Sequence, residues 1–244
     1  MSFVKHAASR RAAQWEAAGL DWLRVDGGAA VVEVAAVDGD LLVLQRLSPV
    51  VPSAADAERF GRELAATHAA GASAHGVGPD DWSGDGFQGP ADDLLPLPLR
   101  PYESWGAMYA ELRVAPLADR AGLSSAAEAV LRRLRDGEFD VSCSAPARLH
   151  GDLWSGNVVW TADGAVLIDP AAHGGHPESD LAALALFGAP HLERLIASYN
   201  EAAPLAHGWR DRVPLMQLHL VLLHAVLFGG GYVAQARKIL RRYA

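Results

Sequence analysis

The segment His150-Gly151-Asp152-Leu153-Trp154-Ser155-Gly156-Asn157 constrains this chain more than any other stretch, because it forces a tight polar turn between two short apolar runs. Asp152 leaves the first run, Gly151 and Gly156 permit the turn, and Asn157 opens the second run. A third apolar run ends in Leu167-Ile168-Asp169-Pro170, and Ala162-Asp163-Gly164 before it is a hairpin signal. The hairpin brings Asp169 back beside Asn157, so two carboxylates and a carboxamide converge at one end. Their repulsion falls if a divalent cation sits between them. Oxygen donors of this kind suit magnesium or manganese rather than zinc. An Asp able to accept a hydroxyl proton, next to hard oxygen ligands, is a layout for phosphoryl transfer. The blander account is an Asx-rich turn in which His150 satisfies backbone groups, but the full pattern gives every position a role.

The surrounding patterns predict a mixed α+β architecture. Residues 8–24 read as a helix with Trp15, Leu20 and Leu23 on one side and Glu16 midway. Residues 31–37 and 41–47 read as two strands joined by Val37-Asp38-Gly39-Asp40, an Asp-Gly hairpin. Ser48-Pro49-Val50-Val51-Pro52 breaks regular structure and marks a hinge, dividing a strand-bearing part, 1–47, from a mainly helical part, 48–244. Ser53 with Asp56 predicts a capping box for a helix to about residue 70, and Ser125 with Glu128 opens another that closes at Gly137. Residues 71–101 form a loop too long for an ordinary connection, a length that usually signals function. Residues 105–121 look helical. Strands are expected at 147–149, 157–160 and 165–169, with helices from Pro177 to the end.

Composition narrows the partners. Net charge is −8, and the densest basic groups, Arg132-Arg133-Arg135 and Arg237-Lys238-Arg241-Arg242, fall on helix surfaces, so no nucleic acid partner is expected. The apolar stretch 213–228 is short for a membrane span and carries Gln217, His219 and His224; it reads as a buried helix with core histidines, and no membrane association is expected. Cys143 is the single cysteine, and residues 1–10 lack the apolar core of a signal peptide, which predicts a cytoplasmic protein.

The catalytic-loop residues 150–157, with Ile168-Asp169-Pro170, resemble the fructosamine kinase family, relatives of the aminoglycoside phosphotransferases with a protein-kinase-like fold. Trp154 within the motif favours that family over aminoglycoside or choline kinases. Similarity extends to Ala171, Glu178-Ser179-Asp180-Leu181-Ala182, Leu186-Phe187-Gly188, and to Phe87, Gln88, Trp105, Tyr109 and Arg113. The resemblance implies a two-lobe kinase fold with a truncated N-terminal lobe, and ATP with Mg2+ as cofactors. It implies phosphorylation of a sugar hydroxyl on a ketosamine, either a small molecule or a glycated protein amine. By the same resemblance Asp152 is the catalytic base, Asn157 and Asp169 are the magnesium ligands, and Lys5 contacts phosphate with Glu16 as its helix-borne partner. Leu44, Gln45 and Arg46 match the hinge that binds adenine, Trp154 and His173 fall on the substrate side, and Asp180 braces the catalytic loop.

One departure from the family pattern bears on activity. With Lys5 on the third strand of a kinase lobe, the two strands and Gly-rich loop that normally precede it are absent, and no G-x-G-x-x-G follows a strand anywhere. That loop covers the ATP phosphates. The expectation is an upstream start or a shortened, weak or inactive member, which keeps a pseudokinase-like binding module and an aminoglycoside- or choline-type phosphotransferase as alternatives. His173-Gly174-Gly175-His176 could hint at a metallohydrolase, but a loop does not fix two histidines at ligand spacing. Ser155 and Ser144 lie near His150 without a G-x-S-x-G elbow, which argues against a hydrolase triad.

Overall fold

The computed structural model describes residues 2–140 and 145–244; Cys143 and Ser144 lie outside them. Strands β1 (Ser2–His6), β3 (Val34–Asp38) and β4 (Leu41–Gln45) make an antiparallel sheet in the order β1-β4-β3. Gly39 supplies the positive φ of 62° that the β3–β4 turn requires. Helix α1 (Arg10–Leu23) starts where the Ser9 hydroxyl accepts from the Ala12 amide, and it buries Trp15, Leu20 and Leu23. The run 31–37 is not one strand, as its composition predicts, but two. Ala30–Val31, β2, pairs in parallel with β9 (Gly164–Leu167), placing Val31 opposite Leu167. Val31 and Val32 are both buried, so packing into the distant hairpin outweighs continuation of the local strand.

The capping box forms as expected: the Ser53 hydroxyl accepts from the Asp56 amide while the Asp56 carboxylate accepts from the Ser53 amide, opening α2 (Ala54–Ala69). The long loop contains a small hairpin, β5 (Gly86–Gln88) with β6 (Leu95–Leu97). The helix expected at 105–121 is interrupted: α3 (Trp105–Met108) passes through a π turn (Tyr109–Val114) into α4 (Ala115–Arg120). Pro116 cannot donate to the helical ladder, and just before it the Ala115 amide bonds the Ala110 carbonyl, five residues back. Helix α5 (Ser124–Arg135) starts two residues earlier than the predicted Ser125 cap implies, with Leu123 at its N-cap and no side-chain cap; Ser124 bonds Asp119 instead.

The remainder carries β7 (Ala147–Leu149), a 3-10 turn (Ser155–Asn157) and β8 (Val158–Thr161), which pairs antiparallel with β9. Strand β10 (His173–Gly175) pairs with β7 and has no pattern of its own in the sequence. Helices α6 (Glu178–Phe187), α7 (Leu192–Ala202), α8 (Trp209–Phe228) and α9 (Gly231–Arg242) complete the chain. Helix α8 is long and apolar enough by length and composition to cross a membrane, yet half of its most apolar window is buried against the rest of the protein. One hydrophobic cluster joins α3, α5, α8 and α9 through Trp105, Tyr109, Leu134 and Leu222. A second joins α1, α2, β4, the catalytic hairpin and α7 through Leu20, Leu42, Phe60, Leu153, Leu167 and Tyr199. The β8–β9 hairpin therefore rests on residues from both sides of position 47. The architecture is α+β.

Candidate active site

Lys5 lies on β1 opposite Leu42, on the face covered by α1. Its Nζ donates to Glu16 Oε2 at 2.8 Å and to Asp169 Oδ1 at 2.8 Å, tying the first strand and helix to the end of the catalytic hairpin. Burial alone would depress the Lys5 ammonium, but the two carboxylates outweigh it and hold its pKa above the ordinary lysine value. Glu16 is pushed up as well, chiefly by burial and then by the Asp169 charge, while Lys5 pulls it down. Glu16 Oε1 is buried and has no partner.

Asp169 itself adopts φ 53°, the left-handed region that a non-glycine residue enters only when its surroundings impose it. The neighbouring bonds do so: Ile168 N donates to Asn157 O (3.1 Å) and Ala171 N to His150 O (2.9 Å). Asn157 Nδ2 donates to the Asp152 carbonyl (2.8 Å), to Asp152 Oδ2 (3.1 Å) and, more weakly, to the Asp169 carbonyl (3.4 Å). Asp152, Asn157 and Asp169 are thus one cluster.

The loop carrying Asp152 is held from beneath. Asp180, buried on α6, accepts from the amides of His150 (2.8 Å) and Gly151 (3.0 Å). His68 on α2 bonds the same carboxylate at 3.1 Å through Nε2, and the Tyr199 hydroxyl bonds His68 Nδ1 at 2.8 Å. Although burial works against it, these bonds keep the Asp180 carboxyl below its ordinary pKa, so it stays ionised. His150 is buried and held neutral; its Nε2 faces the Ile168 carbonyl (2.8 Å) and its Nδ1 accepts from the Asp152 amide (3.3 Å). Gly151 has φ 82°, and a side chain there would collide with the Ala171 carbonyl and come 2.8 Å from His173 Nδ1. Asp152, in contrast, is pushed up to about 7, mainly by burial and then by Asp169 and Asp180, with the Asn157 bond pulling it down.

A cavity of about 360 Å³ opens on this cluster. It brings together Lys5, Glu16, Asp152, Trp154, Asn157 and Asp169 from widely separated parts of the chain. Leu44, Gln45 and Arg46 do not line it: Leu44 is buried opposite Phe3, and Gln45 and Arg46 are exposed at the end of β4. His173 does not line it either. It is buried in β10 with Nδ1 on the Ala171 carbonyl (2.8 Å), behind the catalytic loop rather than in front of it. His176 is buried as well, with Nδ1 accepting from the Glu178 amide (3.1 Å), so both histidines engage the backbone, which argues against the metallohydrolase reading. The donor set Asp152, Asn157 and Asp169 is instead two carboxylates and a carboxamide. With an unpartnered Glu16 oxygen and mutual carboxylate repulsion beside it, that set fits a hard, oxygen-seeking cation.

The wall opposite the carboxylates was not legible as a site. Leu223, His224, Leu227 and Phe228 of α8 line it, together with Leu94 and the Gly89-Pro90 turn. His219 is a core histidine as expected, bonded to Gln88 Oε1 at 2.9 Å. His224 is not: it faces the cavity, one turn before Phe228. The i, i+4 spacing of His224 and Phe228 was the available signal.

The sequence model of the fructosamine kinase family matches residues 2–244. The chain belongs to the fructosamine kinase family. A probable ketoamine kinase from Synechocystis is 35% identical over 75% of this chain, and the match spans 61% of that relative's length. The crystal structure of a candidate fructosamine-3-kinase from Thermobifida fusca superimposes with a TM-score of 0.86 at 44% identity, covering 99% of this chain and 85% of that one. A choline kinase from Streptococcus pneumoniae shares the fold alone, with a TM-score of 0.61 at 16% identity over 99% of this chain and 86% of its own. In this fructosamine kinase family member the polar cluster lies where a strand-borne lysine meets a helix-borne glutamate and the catalytic hairpin.

Proposed function

We propose that this protein is an ATP-dependent kinase that phosphorylates a sugar hydroxyl of a ketosamine, a small molecule or a glycated protein amine. The observation that carries this reading is the junction in which Lys5 bridges Glu16 and Asp169 on the cavity that Asp152 also lines. Asp152 is the base: Asn157 engages its Oδ2, which leaves the other oxygen to accept the acceptor's proton. A pKa of about 7 suits that task, because a large share of the group is ionised at neutral pH yet still basic. Lys5 spends two of its three N–H bonds on carboxylates and has the third for a phosphate oxygen. Asn157 and Asp169 would hold magnesium, which when bound neutralises charge on the phosphates. Trp154, more than a third exposed at the cavity wall, would face the sugar, whereas the adenine-hinge role expected for Leu44, Gln45 and Arg46 gains no support from the cavity, which none of them lines. Asp180 orients the loop without touching substrate, through the two backbone amides it holds.

The deciding experiment is magnesium-dependent ADP release by the purified protein with a ketosamine such as fructosyl-lysine, against the same measurement on Asp152→Asn. Ketosamine-dependent ADP release that the substitution abolishes supports the proposal. ATP binding without acceptor-dependent turnover selects a binding module, and turnover with choline or an aminoglycoside in place of the ketosamine selects a sibling phosphotransferase.

A further inference from the structure

Three rings on the cavity's second wall, Trp154, His224 and Phe228, are linked through Phe187 and Tyr232 behind them. Trp154 meets Phe187 with centroids 5.7 Å apart, Phe187 meets His224 at 5.3 Å, and His224 meets Phe228 at 5.5 Å and Tyr232 at 5.0 Å. Trp154 is 38% and Phe228 61% exposed, so this apolar surface faces solvent where it borders the cavity. An apolar, aromatic wall beside a few converging polar groups is the usual composition of a small-molecule site.

Charge is distributed unevenly around the same space. Among the described residues, Lys5 is the one Lys or Arg lining the cavity, and its ammonium is bound by two carboxylates. Glu16, Asp152 and Asp169 give the polar end acidic character. A cationic group is drawn to such a space, both by the carboxylates and by aromatic faces. A free carboxylate finds no cation to pair with there, and losing its hydration without a partner is costly.

We propose that the ring cluster at the end of α8 is the subsite for the amine-borne substituent of the acceptor. It selects ketosamines whose protonated secondary amine carries an aromatic or aliphatic group with no carboxylate beside it. This rests on the ketosamine kinase reading and adds to it the half of the acceptor that the sugar does not define. The amine sits between the acidic end and the rings, and its substituent lies along Leu227 and Phe228.

The test compares 1-deoxy-1-benzylamino-fructose with fructosyl-glycine, whose carboxylate is one carbon from the amine. Binding is read by calorimetry and turnover by ADP release. The wild-type protein is expected to favour the benzylamino adduct by about tenfold or more, the usual worth of a well-filled apolar pocket. Phe228→Ala, at an exposed position that leaves the core intact, should raise KM for the benzylamino adduct while changing fructosyl-glycine little. Phe228→Lys should shift the preference towards fructosyl-glycine. Equal affinity for the two adducts, or equal losses on both in Phe228→Ala, overturns the subsite and leaves the kinase reading standing. Preferential binding without turnover supports the subsite and overturns the kinase reading. Failure of both adducts to bind overturns both.

Discussion

The two ends of the active-site cavity are built on opposite principles. At the polar end the side chains are held by hydrogen bonds: Lys5 by two carboxylates, Asp152 by Asn157, and the loop beneath by Asp180. At the aromatic end the rings touch edge to face or at a tilt; His224 is held by its Nδ1 on the Leu220 carbonyl (2.8 Å), and Phe187 and Phe228 are oriented by packing. Chemistry that depends on sub-ångström placement is assigned to the first kind of wall. Recognition of a varied substituent suits the second, because ring faces accept many shapes. The comparison teaches that damage to the polar end should fall on turnover for every acceptor, whereas damage to the aromatic end should fall on affinity for some.

The largest expected effect is at Asp152. Asp152→Asn removes the proposed base while keeping its shape and the Asn157 neighbour, so kcat should fall about a thousandfold for all acceptors alike, within the range for lost general-base catalysis. Steady-state kinetics on two ketosamines check this, and a loss confined to one acceptor would break the contrast between the two ends. Lys5→Met comes next. It takes the cation from between Glu16 and Asp169, and kcat/KM should fall roughly a hundredfold through weaker phosphate stabilisation. An unchanged KM for ATP together with unchanged kcat would remove Lys5 from the site.

A smaller effect is expected at His68, which touches neither substrate nor nucleotide. It acts through Asp180, the residue that holds the amides of His150 and Gly151. His68→Ala leaves one Asp180 oxygen less well satisfied in a buried setting and loosens the loop, so kcat should fall about tenfold with little change in KM. His68→Gln, which can still donate to the carboxylate, should recover most of the loss. If both variants fall equally, the bond to Asp180 is not what matters at this position.

Much of this arrangement was legible, and the limits have physical causes. The catalytic-loop motif, the Asp169 hairpin and the Ser53 capping box could be read because each depends on neighbours within a few residues or on a tight motif, whereas the Lys5–Glu16 pairing came only through the family resemblance. The parallel contact of Val31 with Leu167 could not, because a two-residue strand has no periodicity and its partner lies far along the chain. The same holds for β10, three residues that read as a Gly-rich loop until β7 offers them hydrogen bonds. His68 carried no signal, since an isolated histidine on a helix is ordinary until Asp180 and Tyr199 close around it. Phe228 and His224 were absorbed into an apolar helix, where the pattern marks burial but not which flank opens on a cavity.

The smallest effect separates the two ends by pH rather than by rate. An unfolded Asp titrates near its ordinary value of 3.8, while folded Asp152 titrates at about 7, so between these values the folded state keeps a proton that the unfolded chain has lost. Folding stability therefore falls as pH rises through this window, and above about 7 the full cost of an ionised, buried carboxylate is present. Asn carries no such charge. In metal-free protein, Asp152→Asn should leave Tm nearly unchanged at low pH and raise it increasingly from about pH 5 to about pH 8, by roughly a few degrees at the upper end. Added magnesium should narrow that gap, because a cation held by Asn157 and Asp169 would lie near the Asp152 carboxylate and favour its ionised form. Phe228→Ala removes no carboxylate, so its Tm offset from wild type should not show the rise across this window that Asp152→Asn shows, and an equal rise there would erase the distinction between the polar wall and the aromatic one.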